Sequence, residues 1–282
     1  MTKKKDTYSR IVSTLRERAK QEGSLPPVLD AYKKLLDLQL DTKSRIKAEP
    51  PHLDQEAATA RLREGSHLVA FDELSPDWIL VSDLFRAVGQ FIADNITYEP
   101  NDATAYATLA ADSQSLQSAV SSWYEGKSPE PVTGEGRPSE ELLSSAIQAT
   151  LYPFLVTRAE PLRSLVKQEI WRRRQCPVCG GKPDFAFLDS DRGARWLLCS
   201  RCDTEWLFQR LECPYCGIQT HTDLAYYSDK EGIYRLYTCK NCQSYIKAID
   251  LRKTGKEMLL PLERALTADL DRQGVEAGFK PG

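Results

Sequence analysis

From residue 6 to about 172, apolar side chains recur at three- and four-residue steps, the spacing of amphipathic helices that face a core. Val28, Leu29, Tyr32, Leu35, Leu36 and Leu40 alternate with Lys33, Lys34, Asp37 and Asp41, so a helix is predicted from the prolines at 26 and 27, with Glu49-Pro50-Pro51 as its stop. A second runs through Trp78, Val81, Leu84, Phe85, Val88, Phe91 and Ile92 behind the start signal Ser75-Pro76-Asp77. A third is predicted over 102–123, and the Gly- and Pro-rich stretch 126–138 reads as a loop. Ser139, with Glu140 and Glu141, starts a helix carrying Leu142, Leu143, Ile147 and Leu151, which Pro153 should kink or end. Pro161 then opens a helical run through Leu162, Leu165, Val166 and Ile170 that ends in Trp171-Arg172-Arg173-Arg174. These arginines read either as a contact for an anion or partner, or as cations set against the negative end of a helix dipole. At the far end Leu262, Leu266 and Leu270 predict a last helix, opened by Pro261, stopped by Gly274 and packed back on the body of the protein.

Between these helical stretches the period changes to two. Phe185, Phe187, Trp196 and Leu198 alternate around a turn at 189–193, and 224–227 and 233–237 flank a second turn at 228–232. All eight cysteines of the 282-residue chain fall in this part, from Cys176 to Cys242. They form four C-x-x-C pairs: Cys176/Cys179, Cys199/Cys202, Cys213/Cys216 and Cys239/Cys242. The first two pairs are separated by nineteen residues and the last two by twenty-two, an approximate internal repeat.

A C-x-x-C turn presents two thiolates to one tetrahedral ion. Pro177 and Pro214 pre-set two of these turns, and Gly180 and Gly217 supply a positive φ after the second cysteine. A thioredoxin-like redox site would use one such pair beside a βαβ pattern, which four pairs without that pattern do not match. A cross-braced arrangement is geometrically possible, but each hairpin brings its own two pairs together, so sequential pairing is expected. Each site then has four cysteine ligands, and His221 is read as a surface loop residue. A four-cysteine site is closed to water and substrate, which argues against metal hydrolysis. Such sites accept zinc, or iron with its one-electron chemistry, and spacing does not separate the two.

Hydrophobic residues at 41% and charged residues at 28% describe a globular chain with a core. The formal net charge is −2, and 176–250 carries nine Lys or Arg against ten Asp or Glu. Two tetrathiolate ions would add further negative charge, so nucleic acid is not the expected partner. The N-terminus has no apolar segment of a signal peptide and no stretch approaches a membrane span, so a cytoplasmic protein is expected, where paired cysteines favour metal over disulfides. The reading is α+β: an all-helical N-terminal domain (1–172), two tandem zinc-ribbon or rubredoxin-like modules (173–210 and 211–252) and a C-terminal helix (253–282).

The run Cys176-Pro177-Val178-Cys179-Gly180, then Leu198-Cys199-Ser200-Arg201-Cys202-Asp203-Thr204-Glu205-Trp206 with Arg210 and Cys213, then Cys239-Lys240-Asn241-Cys242-Gln243-Ser244-Tyr245-Ile246-Lys247, resembles the formate dehydrogenase accessory protein FdhE family. Before the cysteines, Leu35-Leu36-Asp37-Leu38-Gln39 is the best-matching fragment. The resemblance implies a non-enzymatic cytoplasmic maturation factor that contacts the catalytic subunit of formate dehydrogenase, with all eight cysteines as ligands of two metal ions, iron or zinc. Leu207 departs from the pattern, since relatives often carry His after the Glu-Trp pair. Glu205, Trp206 and Arg210 are the candidate partner-facing or orienting residues, the alternative for them being local packing and a salt bridge. The rival functions are a rubredoxin-like iron redox protein acting on a partner enzyme and a transcription-type zinc ribbon, the latter needing a basic face.

Overall fold

The computed structural model describes residues 7–47, 53–97, 102–129, 138–255 and 257–282. Most of the 126–138 segment, the Glu49-Pro50-Pro51 stop and the first residues of the chain lie outside them. The chain forms two compact units, 1–49 with 70–158 and 50–69 with 159–282. None of the helices found is long and apolar enough to cross a membrane, among the described residues.

The first unit is helical: α1 (Thr7–Glu22), α2 (Pro27–Arg45), α4 (Phe71–Leu74), α5 (Trp78–Ile92), α6 (Asp102–Ala111), α7 (Ser113–Tyr124) and most of α8 (Glu140–Ala159), while α3 (Gln55–Glu64) belongs to the second unit. Helix α2 starts at the two prolines, and α5 starts at Asp77, whose carboxylate accepts the amides of Ile79 and Leu80. The single helix expected over 102–123 is two, because Asp112 leaves the helical conformation and caps α7 by accepting the Ser115 amide. Tyr8 stacks obliquely on Tyr152 at 5.0 Å, and Gly89 lets Tyr106 of α6 lie directly on α5.

Pro153 does not end its helix; α8 runs through it to Ala159. A proline removes the N–H that would bond the carbonyl four residues back, here that of Ala149. The buried Gln39 side chain supplies the missing donor, its Nε2 lying 2.7 Å from the Ala149 oxygen. Gln39→Leu is expected to destabilise the helical unit by about 1 kcal/mol, the cost of losing the donor to a part-buried carbonyl. Chemical denaturation followed by circular dichroism reads this, and a loss below about 0.5 kcal/mol would show that the bond is dispensable.

The second unit is built on one sheet. The strands are β1 (Pro183–Leu188), β2 (Arg195–Cys199), β3 (Glu205–Leu207), β4 (Leu224–Ser228), β5 (Tyr234–Cys239), β6 (Ser244–Asp250) and β7 (Lys280–Pro281). Among the described residues their order is β3-β2-β1-β6-β5-β4, with β7 beside β6. Each cysteine repeat makes an antiparallel three-stranded meander. The two meanders join where β1 pairs parallel with β6, Phe185 opposite Lys247 through Leu188 opposite Asp250. Phe185, Phe187 and Leu198 of the first repeat, Ile249 of the second and Leu260 share one core cluster. The repeats read from the sequence as successive modules are therefore two halves of one sheet with one core.

Three further expectations are corrected here. After Pro161 there is only the short turn Arg163–Leu165, and Val166 is extended. The irregular segment that follows wraps β3: Gln168 accepts the Leu207 amide, the Arg173 carbonyl accepts the Trp206 indole, and Trp171 is buried. The arginine triplet thus ends no helix, and the dipole reading of it does not hold. The C-terminal helix is two, α9 (Leu260–Leu266) and α10 (Ala268–Glu276), broken at Thr267. Gly274 lies inside α10, where a Cβ would come within 2.7 Å of the Tyr245 ring, and the chain turns instead at Gly278 with φ +86°. Residues 50–69 and 159–172, read as helical-domain sequence, belong with the cysteine-rich unit.

Candidate metal centres

The eight cysteines gather as two groups of four, Cys176/Cys179/Cys199/Cys202 and Cys213/Cys216/Cys239/Cys242, each with its sulfurs within 4.8 Å of one another. This is the sequential pairing. In each repeat one pair lies in the turn before the first strand of the meander, and the other in the turn joining its second and third strands. The hairpin between them folds the two turns face to face.

All four turns use the same backbone device. The residue after the second cysteine has positive φ: Gly180 (+70°), Asp203 (+53°), Gly217 (+79°) and Gln243 (+53°). Glycine at two of these positions was legible in the sequence; Asp203 and Gln243 hold the same strained conformation with side chains attached. Within the turns the Val178 amide points at Cys176 Sγ at 3.4 Å and the Arg201 amide at Cys199 Sγ at 3.3 Å. Such N–H groups spread the negative charge of a bound thiolate.

The donor set fits a tetrahedral ion. Metal–sulfur bonds of about 2.3 Å imply sulfur–sulfur edges of about 3.8 Å. The facing sulfurs stand at 3.7 Å (Cys176–Cys202), 3.5 Å (Cys179–Cys199), 3.7 Å (Cys213–Cys242) and 3.7 Å (Cys216–Cys239). None is disulfide-bonded. Each group could hold one metal ion.

The two groups sit in different surroundings. The first is fully buried, and burial pushes the Cys176 and Cys199 thiols up from their ordinary value. It is strapped by Leu68 and Val69, whose amides donate to the carbonyls of Pro177 and Val178, the two middle residues of its first turn. Arg163 donates to the Cys202 carbonyl at 2.7 Å, and Arg264 to the Cys199 carbonyl at 3.1 Å and to Asp203. In the second group Cys216 and Cys242 are only half-buried. Burial raises the Cys213 thiol to about 12. At Cys216 burial also acts upward, but the Ile218 amide and the Asn241 side chain bring the thiol down to about 7.

The candidate docking residues separate. Trp206 is fully buried on β3 and its indole N–H donates to the Arg173 carbonyl, so its side chain packs locally. Glu205 and Arg210 are exposed. Leu207, at the position of departure, is half-buried on β3. His221 is exposed on a loop. The reading from sequence missed the 68–69 strap, because its contribution is made by backbone amides that carry no side-chain signal.

The family model described as "FdhE, central domain" matches residues 175–210, which contain the whole first group. A protein FdhE homolog of Aquifex aeolicus is 40% identical over 146 residues, so that the matched stretch spans half of this chain and half the length of that relative. A protein FdhE homolog of Haemophilus ducreyi is 28% identical over 98% of this chain and 89% of its own length. The crystal structure of the FdhE protein from Pseudomonas aeruginosa shares the fold, with a TM-score of 0.65 over 99% of this chain and 94% of that one at 21% identity.

Proposed function

This chain belongs to the FdhE family, and from that premise we propose that it is a non-enzymatic accessory factor that binds the catalytic subunit of formate dehydrogenase in the cytoplasm and assists its assembly or activation. The observation that carries this reading is the pair of four-sulfur groups on one shared sheet. Four thiolates complete the coordination of zinc or iron and leave no position for water or substrate. The ions then act on the protein itself, by holding a sheet of short strands in one shape that a partner can recognise. Glu205, exposed on β3, and Arg210, exposed in the turn after it, are the proposed partner contacts.

Deleting the gene is expected to lower formate dehydrogenase activity, and the tagged chain is expected to co-purify with the catalytic subunit. Full activity in the deletion strain with no co-purification would sink the proposal. For the docking residues, Glu205→Lys with Arg210→Ala is expected to weaken co-purification while leaving metal content unchanged; undiminished capture would remove them from the interface.

A rubredoxin-like iron protein is the second reading, favoured by the half-buried residues Cys216 and Cys242, since electron exchange with a partner needs an accessible centre. Anaerobic purification followed by metal analysis and a visible spectrum separates the two, and zinc alone would remove the redox version.

A further inference from the structure

Among the described residues, Arg195 is a guanidinium in no ion pair with a carboxylate. It opens β2, the strand that delivers Cys199 to the first group, and is 3% exposed. Its Nη1 donates to the carbonyls of Arg210 (3.3 Å) and Glu212 (3.1 Å), while Nε and Nη2 are buried with no hydrogen-bond partner among the described residues. The guanidinium lies over the rings of Phe208 and Tyr237, at 5.7 and 5.2 Å. A buried cation without a counter-charge costs several kcal/mol.

The internal repeat shows what is missing. Four residues before Cys239 stands Arg235, the counterpart of Arg195 four residues before Cys199. Arg235 is also buried, but it meets Asp250, eight residues past Cys242, at 2.7 Å. Eight residues past Cys202 the first repeat has Arg210, which offers Arg195 only its carbonyl. Yet Arg195 does face a source of negative charge. Glu212, whose carbonyl it holds, directly precedes Cys213, and Tyr237 stands two residues before Cys239. Arg195, Cys213 and Cys239 line the same cavity of about 90 Å³. Four thiolates around a divalent ion carry a net charge of about −2.

We propose that Arg195 is the counter-cation of the second four-cysteine centre, a positioning residue sent across from the first repeat, and that its charge strengthens metal binding at that centre. The inference rests on two metal-binding centres and not on the identity of the partner enzyme. A wild-type chain that bound fewer than two zinc equivalents would count against the centres themselves, and through them against this role.

The test is zinc competition against a chromophoric chelator on the full chain, comparing wild type, Arg195→Lys, which keeps the charge, and Arg195→Met, which keeps much of the bulk without it. In the Met variant one of the two zinc equivalents is expected to bind about tenfold or more weakly, the size of effect common for residues behind metal ligands. The other equivalent stays unchanged, and Arg195→Lys stays near wild type. Should the Met variant not fold, Arg195→Gln, which can still donate to the Glu212 carbonyl, reads the same difference. Unchanged affinity in the neutral variants, equal weakening of both equivalents, or a Lys variant as weak as the neutral one would each overturn the role of the charge.

Discussion

Cys199→Ser is expected to bind one metal ion per chain where the wild type binds two, and to lose the ordered sheet, not just the ion. Cys199 ends β2, the strand whose Leu198 lies in the core cluster that the two repeats share. A structural four-sulfur zinc site supplies about 10–16 kcal/mol of apparent binding energy at neutral pH, while a whole domain has a net stability of only about 5–15 kcal/mol. Losing one centre therefore removes as much as the unit has. The first group also has no polar alternative. Its sulfurs are buried, and with burial raising Cys176 and Cys199, four thiolates cannot persist there without a cation to offset them. Hydrogen exchange under reducing conditions checks this. Protection across 176–250 should collapse in the variant, as it should in wild type stripped by a strong chelator, while α5 and α8 of the other unit keep theirs. Stripping of the wild type should be biphasic, the half-exposed group of Cys216 and Cys242 losing its ion before the strapped first group. Full protection of 176–250 without metal would mean that the shared core, not the ions, holds the sheet.

How much of this was legible in the sequence divides by range. The ligand set, the pairing of Cys176/Cys179 with Cys199/Cys202, and the glycine turns at 180 and 217 are local signals, carried by the cysteine spacing and the hairpin within each repeat. The helices α2 and α5 were equally plain, because apolar periodicity and start residues agree in both. What was not legible is what distant residues do for one another. Pro153 reads as a break because local rules count the lost N–H, and only the fold shows Gln39 donating in its place, 110 residues away in sequence. The run after Pro161 has a helical pattern, yet Trp171 and Gln168 are used to cover β3, and tertiary packing overrides the local preference. The joining of the repeats through β1 and β6 has no signature in either one, since each meander looks complete by itself.

That junction is where the largest effect outside the cysteines is expected. Asp250 ends β6 opposite Leu188 of β1, is 0% exposed, and carries a tight set of contacts. Its Oδ2 accepts Arg235 Nη2 at 2.7 Å and Arg252 Nη2 at 2.6 Å, and its Oδ1 accepts Arg252 Nε at 2.8 Å. Asp250→Ala leaves Arg252 able to turn to solvent but strands Arg235, which is buried. Breaking a buried pair from one side costs about 3–5 kcal/mol, so the melting temperature of the cysteine-rich unit should fall by roughly 10 °C. Replacing both partners, as in Asp250→Leu with Arg235→Met, should recover most of that loss, because no uncompensated charge is then left inside. The pH dependence has a definite sign. Hydrogen bonding from Arg252, followed by the charges of Arg252 and Arg235, holds the Asp250 carboxyl below its ordinary value. Its stabilising contribution is therefore complete above the unfolded-state value of about 3.9 and fades as pH falls through the lower folded-state value. Wild type and Asp250→Ala should accordingly begin to converge only below about pH 4 and meet once pH has fallen through the lower folded-state value. Thermal melts of the metal-loaded single and double variants decide the matter. A single variant within about 1 kcal/mol of wild type would show that the buried Arg235–Asp250 pair is dispensable.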